Sequence, residues 1–337
     1  MKTIVVFNNK GGVGKTTFLC NLASCLQINH NKKVIVIDAD PQANATTYTL
    51  KDDQTFELFS KINSSGTLND IFKELRKSGY YFDKELPIIK SNRFGFDIIP
   101  GDPSISLFED FLSKDWFDSI NGEARAIRTT LIFDDLNHKL EKLNYDYVFY
   151  DVGPSLGAIN RSVLMAADYY ILPMASDIFS LKAVDNIKAS LKSWGDNFKK
   201  GLREYEENEN EAFKIDGKII NFKLTFIGYI TQQYVTKTKD GQKRAVNAYE
   251  KIIKQIPKAI VNNLAPINSI LSEDNFKLGE IPNLHSLVPL SQSANAPIFK
   301  LTADDGVVGA HFSKVKEYGE VIEKIKNNLL TNIAKLS

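Results

Sequence analysis

Short, nearly continuous apolar runs alternate along this chain with longer stretches in which apolar residues recur every three or four positions. That alternation is the pattern of a parallel sheet with crossover helices. The runs predict strands at Thr3–Phe7, Lys33–Ile37, Gly95–Ile99, Tyr147–Tyr150, Tyr169–Leu172, Lys223–Tyr229 and Ser286–Val288. Most are apolar at successive positions, so both faces of the sheet are expected to be covered. Between the first two runs, Phe18, Leu19, Leu22, Ala23 and Leu26 fall on one helical stripe, giving strand, glycine loop, helix, strand. The expected fold class is α/β: a doubly wound, mostly parallel sheet with helical insertions.

Two stretches interrupt this rhythm. Lys51 to Arg93 is polar and mixed, with a helix predicted at Leu68–Lys77. Trp194 to Lys218 carries Glu204, Glu206, Glu207, Glu209 and Glu211, a charge run of the kind that forms a solvated helix end or loop. No repeat or Gly/Ser-rich linker divides the chain, and the motifs come from both of its ends. One domain over 1–337 is therefore expected, with insertions at about 51–93 and 194–218. Near the C-terminus, Val315, Tyr318, Val321, Ile322, Ile325, Leu329 and Ile333 form an apolar stripe. Lacking a tail dense in lysine and bulky apolar residues, a helix at about 313–335 is expected to dock on the domain rather than on a membrane surface.

Composition narrows the reading. Lys plus Arg is 42 against 41 for Asp plus Glu, so no global field holds nucleic acid or anionic lipid, and any such binding needs a local patch or dimerisation. Cys20 and Cys25 are five apart in one predicted helix, which is neither a redox nor a zinc spacing, and they read as small buried thiols. No run of eighteen apolar residues occurs, so a cytoplasmic protein that does not span a membrane is expected.

The strongest chemical signal follows the first strand: Lys10-Gly11-Gly12-Val13-Gly14-Lys15-Thr16-Thr17. Asn9 stands at the first glycine position of the ordinary phosphate-loop pattern, but the remainder is in register. The glycines let successive N–H groups turn inward on phosphate oxygens, and the helix N-terminus adds partial positive charge. Lys15 is placed to reach the β- and γ-phosphates of a nucleotide, Thr16 to offer its hydroxyl to Mg²⁺, and Thr17 to meet the α-phosphate. Lys10 sits too early in the loop to replace Lys15, and a cation there is placed to reach a second nucleotide across two facing sites. Further on, Asp38-Ala39-Asp40-Pro41-Gln42-Ala43-Asn44 puts two carboxylates at a strand end with a proline to turn the chain. Tyr147-Val148-Phe149-Tyr150-Asp151 ends an apolar strand in an acid, the Walker B pattern in which Asp151 orders the Mg²⁺ shell.

With these motifs the sequence resembles the ParA/MinD family of deviant Walker A P-loop ATPases, closest to the ParA (Soj-like) partition branch. The resemblance spans nearly the whole chain, and is specific in three short motifs and loose in the two insertions. It implies an ATP- and Mg²⁺-dependent sandwich homodimer in which Lys10 contacts the partner's nucleotide. It also implies that Asp40 positions the attacking water and Asp38 holds a Mg²⁺-bound water. Asp151-x-x-Pro154-Ser155 keeps the family's pattern. By the same match Gln232, in Ile227–Gln232, and Pro289, before Ser293-Ala294-Asn295-Ala296-Pro297, are candidate adenine contacts.

The function so implied is a slow ATPase switch, hydrolysing ATP to ADP and phosphate, that serves plasmid or chromosome partition or the positioning of cargo on nucleoid DNA. A ParB-like centromere-binding protein would stimulate it. Partition members bind DNA partly through basic residues near the later loop, and here Leu290-Ser291-Gln292-Ser293 is uncharged. Lys237, Lys239, Lys243 and Arg244 are the nearest replacement. Two alternatives remain open: a MinD-like membrane-cycling ATPase, and a ParA-like ATPase serving a dedicated protein partner without DNA. An iron–sulfur reductase of related fold is disfavoured, because no cysteine follows Cys25.

Overall fold

The computed structural model describes residues 1–60, 66–175, 178–232, 243–266, 271–284 and 286–336. Eight strands form one sheet: β1 (Lys2–Val6), β2 (Val34–Asp38), β3 (Ile89–Lys90), β4 (Asp97–Ile99), β5 (Tyr147–Asp151), β6 (Tyr169–Met174), β9 (Thr225–Gln232) and β10 (Lys277–Ile281). A separate two-residue pair, β7 (Lys214–Ile215) and β8 (Lys218–Ile219), makes a small hairpin. The sheet order is β10-β9-β6-β1-β5-β2-β4-β3, and every pairing in it is parallel except β3 with β4.

The strand carrying the glycine loop is therefore interior, with β5 and β6 on its flanks. Register brings the chemistry level. Val6 pairs with Asp151 across β1 and β5, and Asp38 pairs with Asp151 across β5 and β2. Three strands end at one height, and the loop leaves from the first of them.

Successive strand residues feed two cores, as the pleat requires. Val5, Ile35, Ile37, Val148, Tyr150 and Leu172 pack with helices that include Leu68–Ser78, Glu109–Ile120, Ile132–Lys142 and Ala158–Ala166. Ile4, Val6, Val34, Val36, Phe149 and Ile171 pack on the opposite face with helices Lys15–Ser24 and His311–Leu336. On the second of these helices Val315, Tyr318, Ile322, Ile325, Leu329 and Ile333 are buried. Asn332 Nδ2 donates to Ile227 O at 2.8 Å and Asn275 O at 2.9 Å, fastening the helix to the β9–β10 edge.

The structure departs from the apolar pattern in two places. Ser286–Val288 is not a strand: Leu287–Ser293 is a short helix, with Pro289 in its first turn, where the missing N–H has no intrahelical partner to lose. Among the described residues the last strand is instead β10, Lys277-Leu-Gly-Glu-Ile281, which pairs there with β9 alone. In the first inserted region, helices span Asp52–Ser60 and Leu68–Ser78. The acidic run of the second continues the helix Ile178–Glu209 as its solvated end.

Candidate functional site

The helix Lys15–Ser24 begins where the glycine loop turns left-handed. Gly12 has φ +72° and Gly14, the residue before the helix, has φ +69°, a conformation that a side chain strains. A Cβ on Gly14 would also come within 2.6 Å of Gln232 Nε2. That same nitrogen donates to Val13 O at 3.0 Å, so the end of β9 is tied to the loop. Asn8 Nδ2 donates to Pro173 O at 2.6 Å, and Lys10 N donates to Asn8 Oδ1 at 3.0 Å, so the entry to the loop is pinned as well.

Lys15 is buried, and its Nζ donates back to Lys10 O at 3.2 Å, curling the loop around the ammonium. Burial lowers its pKa from the ordinary lysine value, against the pull of Asp151 and Asp40. Thr16 Oγ1 donates to Asp151 Oδ2 at 2.7 Å. The other oxygen of that carboxylate, Oδ1, is buried without a hydrogen-bond partner. Burial, reinforced by Asp38, pushes the Asp151 carboxyl well above its usual range. A buried carboxylate oxygen with no donor, beside a hydroxyl, is the arrangement a hard cation with oxygen ligands satisfies. The residues present thus fit Mg²⁺.

Asp38 is engaged differently. Its Oδ2 accepts from Thr46 N at 2.8 Å and Thr46 Oγ1 at 2.7 Å, while Oδ1 faces Asp40 N at 3.4 Å. Burial nonetheless pushes its carboxyl up to about 7. Asp40 Oδ1 accepts from Gln42 N at 3.0 Å, which turns the chain after β2 so that Asp40 lies on the cleft.

That cleft, about 520 Å³, is lined by Gly11 through Thr17, Asp40 and Pro154, together with Gln42, Asn44, Thr47, Tyr48 and Gln292. Gln42 and Asn44 belong to the motif after β2, whereas Thr47, Tyr48 and Gln292 carry no signal of a site in the sequence pattern and arrive on the helices Asn44–Thr49 and Leu287–Ser293. Tyr48 is held from two sides: Asn21 Nδ2 donates to its hydroxyl at 3.1 Å, and the hydroxyl lies 2.6 Å from Ser291 Oγ. Pro289, on the same short helix as Gln292, is exposed and is not among the lining residues. The segment after Asp151 is braced from below. Asn160 Nδ2 donates to Gly153 O at 2.7 Å and Ser155 O at 2.8 Å, and Glu109 accepts from the N–H groups of Ala158 and Ile159. Sequence reasoning missed Asn160, Glu109 and Thr46, because each acts from outside the motifs.

Of the basic candidates, Lys237 and Lys239 lie outside the described residues, whereas Lys243 and Arg244 open the helix Lys243–Leu264. Among the described residues no helix is long and apolar enough to cross a membrane.

Comparison with known proteins agrees with this geometry. The AAA domain family matches residues 1–203. Over 204 residues the chain is 32% identical to a virulence plasmid ParA family protein of Chlamydia psittaci, an alignment covering 58% of this chain and 66% of that protein. Among solved structures, a protein of Corynebacterium diphtheriae aligns with a TM-score of 0.68 at 30% identity, over 88% of this chain and 97% of its own. A plasmid partition protein of Borrelia burgdorferi bound to AMPPNP aligns with a TM-score of 0.54 at 20% identity, over 98% of each chain, a likeness of fold.

Proposed function

The chain belongs to the AAA domain family, within its ParA-like P-loop ATPases, and from that premise we propose that it is an ATP-driven dimerising switch that hydrolyses ATP to ADP and phosphate. The observation that carries the reading is that Lys15 and Asp40, both buried, line one cleft with the glycine loop. The neighbour crystallised with AMPPNP supports the choice of nucleotide.

In this reading the N–H groups of Gly11–Thr17 and the Lys15 ammonium hold the phosphates. Thr16 Oγ1 and Asp151 Oδ1 would hold Mg²⁺, which when bound neutralises charge on the β- and γ-phosphate oxygens. Asp38 Oδ1 is left to accept from a metal-bound water. Asp40 orients the water that attacks the γ-phosphate, and Lys10 reaches the nucleotide of a second copy. Two chains then associate only as far as ATP binds the dimer better than the monomer.

The surface gripped by that dimer is proposed to be non-specific DNA, with a ParB-like or other partner stimulating turnover at the nucleoid, in plasmid or chromosome partition. Lys237, Lys239, Lys243 and Arg244 are the cations proposed to meet its phosphates.

The test is the variant Asp40→Ala. It is expected to keep ATP binding and ATP-dependent dimerisation and to lose phosphate release. Undiminished turnover would remove Asp40 from the mechanism. The same trapped dimer, titrated with double-stranded DNA across a salt series, is expected to bind with ATP and not with ADP, more weakly as salt rises. An intact dimer that ignores DNA would assign the switch to a protein partner instead.

A further inference from the structure

Far from the cleft, the P-loop helix does not end as an ordinary α-helix. It runs on from Ser24 into a π-helical turn, Cys25–Asn29, with His30 closing it. In an α-helix residues five apart point about 140° away from each other around the axis. Hydrogen bonding from i to i+5 closes that angle, and such turns recur at functional sites. Here the turn brings Cys25 and His30 to one side, where Glu323 of the helix His311–Leu336 meets them. The thiol, imidazole and carboxylate donor atoms all lie within 4.8 Å of one another.

The three donors are already in hydrogen-bond contact through Glu323, so a bound ion needs them to part by only a few tenths of an ångström. Cys25 Sγ is 3.3 Å from Glu323 Oε1, and His30 Nε2 is 3.2 Å from the same oxygen and 2.9 Å from Oε2. Metal bonds of roughly 2.0–2.3 Å in a tetrahedron put donor atoms about 3.3–3.7 Å apart. Asn29 Nδ2 donates to Glu323 Oε1 at 2.7 Å and orients the carboxylate, the task of an outer-shell partner. Lys326 Nζ lies 3.2 Å from Glu323 Oε2 and balances its second oxygen. Beside the cluster opens a hollow of about 620 Å³, lined by Asn29, Glu320, Glu323, Lys324 and Asn327 among others. It leaves room for a water at the fourth position.

We propose that Cys25, His30 and Glu323 form a site for a divalent ion of the zinc class, which staples the far end of the P-loop helix to the C-terminal helix. Sulfur and imidazole donors select zinc-like ions over Mg²⁺, which takes oxygen. One thiolate, one carboxylate and one neutral imidazole cancel the charge of a divalent ion, the thiol proton passing to solvent on binding. The site is independent of the nucleotide reading, because none of its residues lines the nucleotide cleft.

Zn²⁺ titrated into the tag-free chain of residues 1–337, with Mg²⁺ in excess and a chromophoric chelator competing, tests this. One equivalent per chain is expected, with affinity falling at least about tenfold in Cys25→Ser and in Glu323→Gln. His30→Gln, at an exposed position that does not threaten the fold, is expected to weaken binding equally. It should also abolish the rise in Tm that Zn²⁺ gives the parent. The Co²⁺ form is expected to show thiolate charge-transfer absorption that Cys25→Ser removes. Substoichiometric uptake, parental affinity in His30→Gln, or a Co²⁺ spectrum without the sulfur band would each overturn the proposal.

Discussion

The ends of β2 and β5 lie side by side and carry the same residue at the same height, yet the two carboxylates live differently. Asp38 is spent inward, with one oxygen holding both the N–H and the hydroxyl of Thr46. Asp151 is spent outward: one oxygen takes the Thr16 hydroxyl and the other has no donor at all. Identical chemistry in adjacent register thus divides into a brace for the turn after β2 and a carboxylate with one buried oxygen left open, the oxygen proposed to meet Mg²⁺. Burial raises the pKa of both, so charge alone would not tell them apart, and hydrogen bonding does.

The largest expected consequence of that division is in Asp151→Asn. It keeps the bond to Thr16 within reach and removes the anionic ligand, so Mg²⁺-dependent phosphate release is expected to fall at least about a hundredfold while the apo fold persists. Turnover near the parental rate, measured by coupled phosphate assay, would erase the distinction between the two aspartates. Next is Asp38→Ala, which strands two buried donors of Thr46 and is expected to cost about 2–4 kcal/mol in urea unfolding. A loss as small as that of a surface mutation would mean that Asp38 braces nothing.

A third effect is in pH. Between pH 3.8 and about 7 the folded chain keeps a proton on Asp38 that the unfolded chain releases. Stability of the metal-free protein is therefore expected to fall as pH rises through that window, by roughly 1 kcal/mol per unit for each such carboxyl. Asp151 acts in the same direction, so Mg²⁺ with nucleotide should flatten the slope. A Tm that climbs across the window would contradict the burial argument. The smallest effect is expected from Thr46→Val, about 1 kcal/mol, since it removes the hydroxyl that joins Asp38 to Gly101 N–H but leaves the Thr46 amide donating. A cost equal to that of Asp38→Ala would show that the hydroxyl is the whole of the brace.

What could be read before the structure follows a physical divide. β1, β2, β5 and β6 are buried on both faces, so their apolar runs announce them, and the glycine loop announces itself because its conformation restricts residue choice locally. β10 stayed hidden because an edge strand keeps its charges: Lys277 and Glu280 face out and Gly279 interrupts the pattern. Ser286–Val288 misled because the cap and first two residues of a short, partly exposed helix look like a strand when periodicity has no room to show. Within the site, the loop residues and Asp38, Asp40 and Asp151 were legible as motifs. Tyr48, Gln292, Thr46 and Asn160 were not, since their roles arise from elements that meet only in space.

The helix His311–Leu336, 26 residues long, packs into one core with Phe18, Leu22 and Leu26 of the phosphate-loop helix and its π-helical turn, and lies along the β9–β10 edge. It is also made long after the helix it covers. The helix that carries the phosphate loop is thus propped by sequence far downstream of it, a long-range contact whose loop-closure cost must be met before the underside of the cleft is covered.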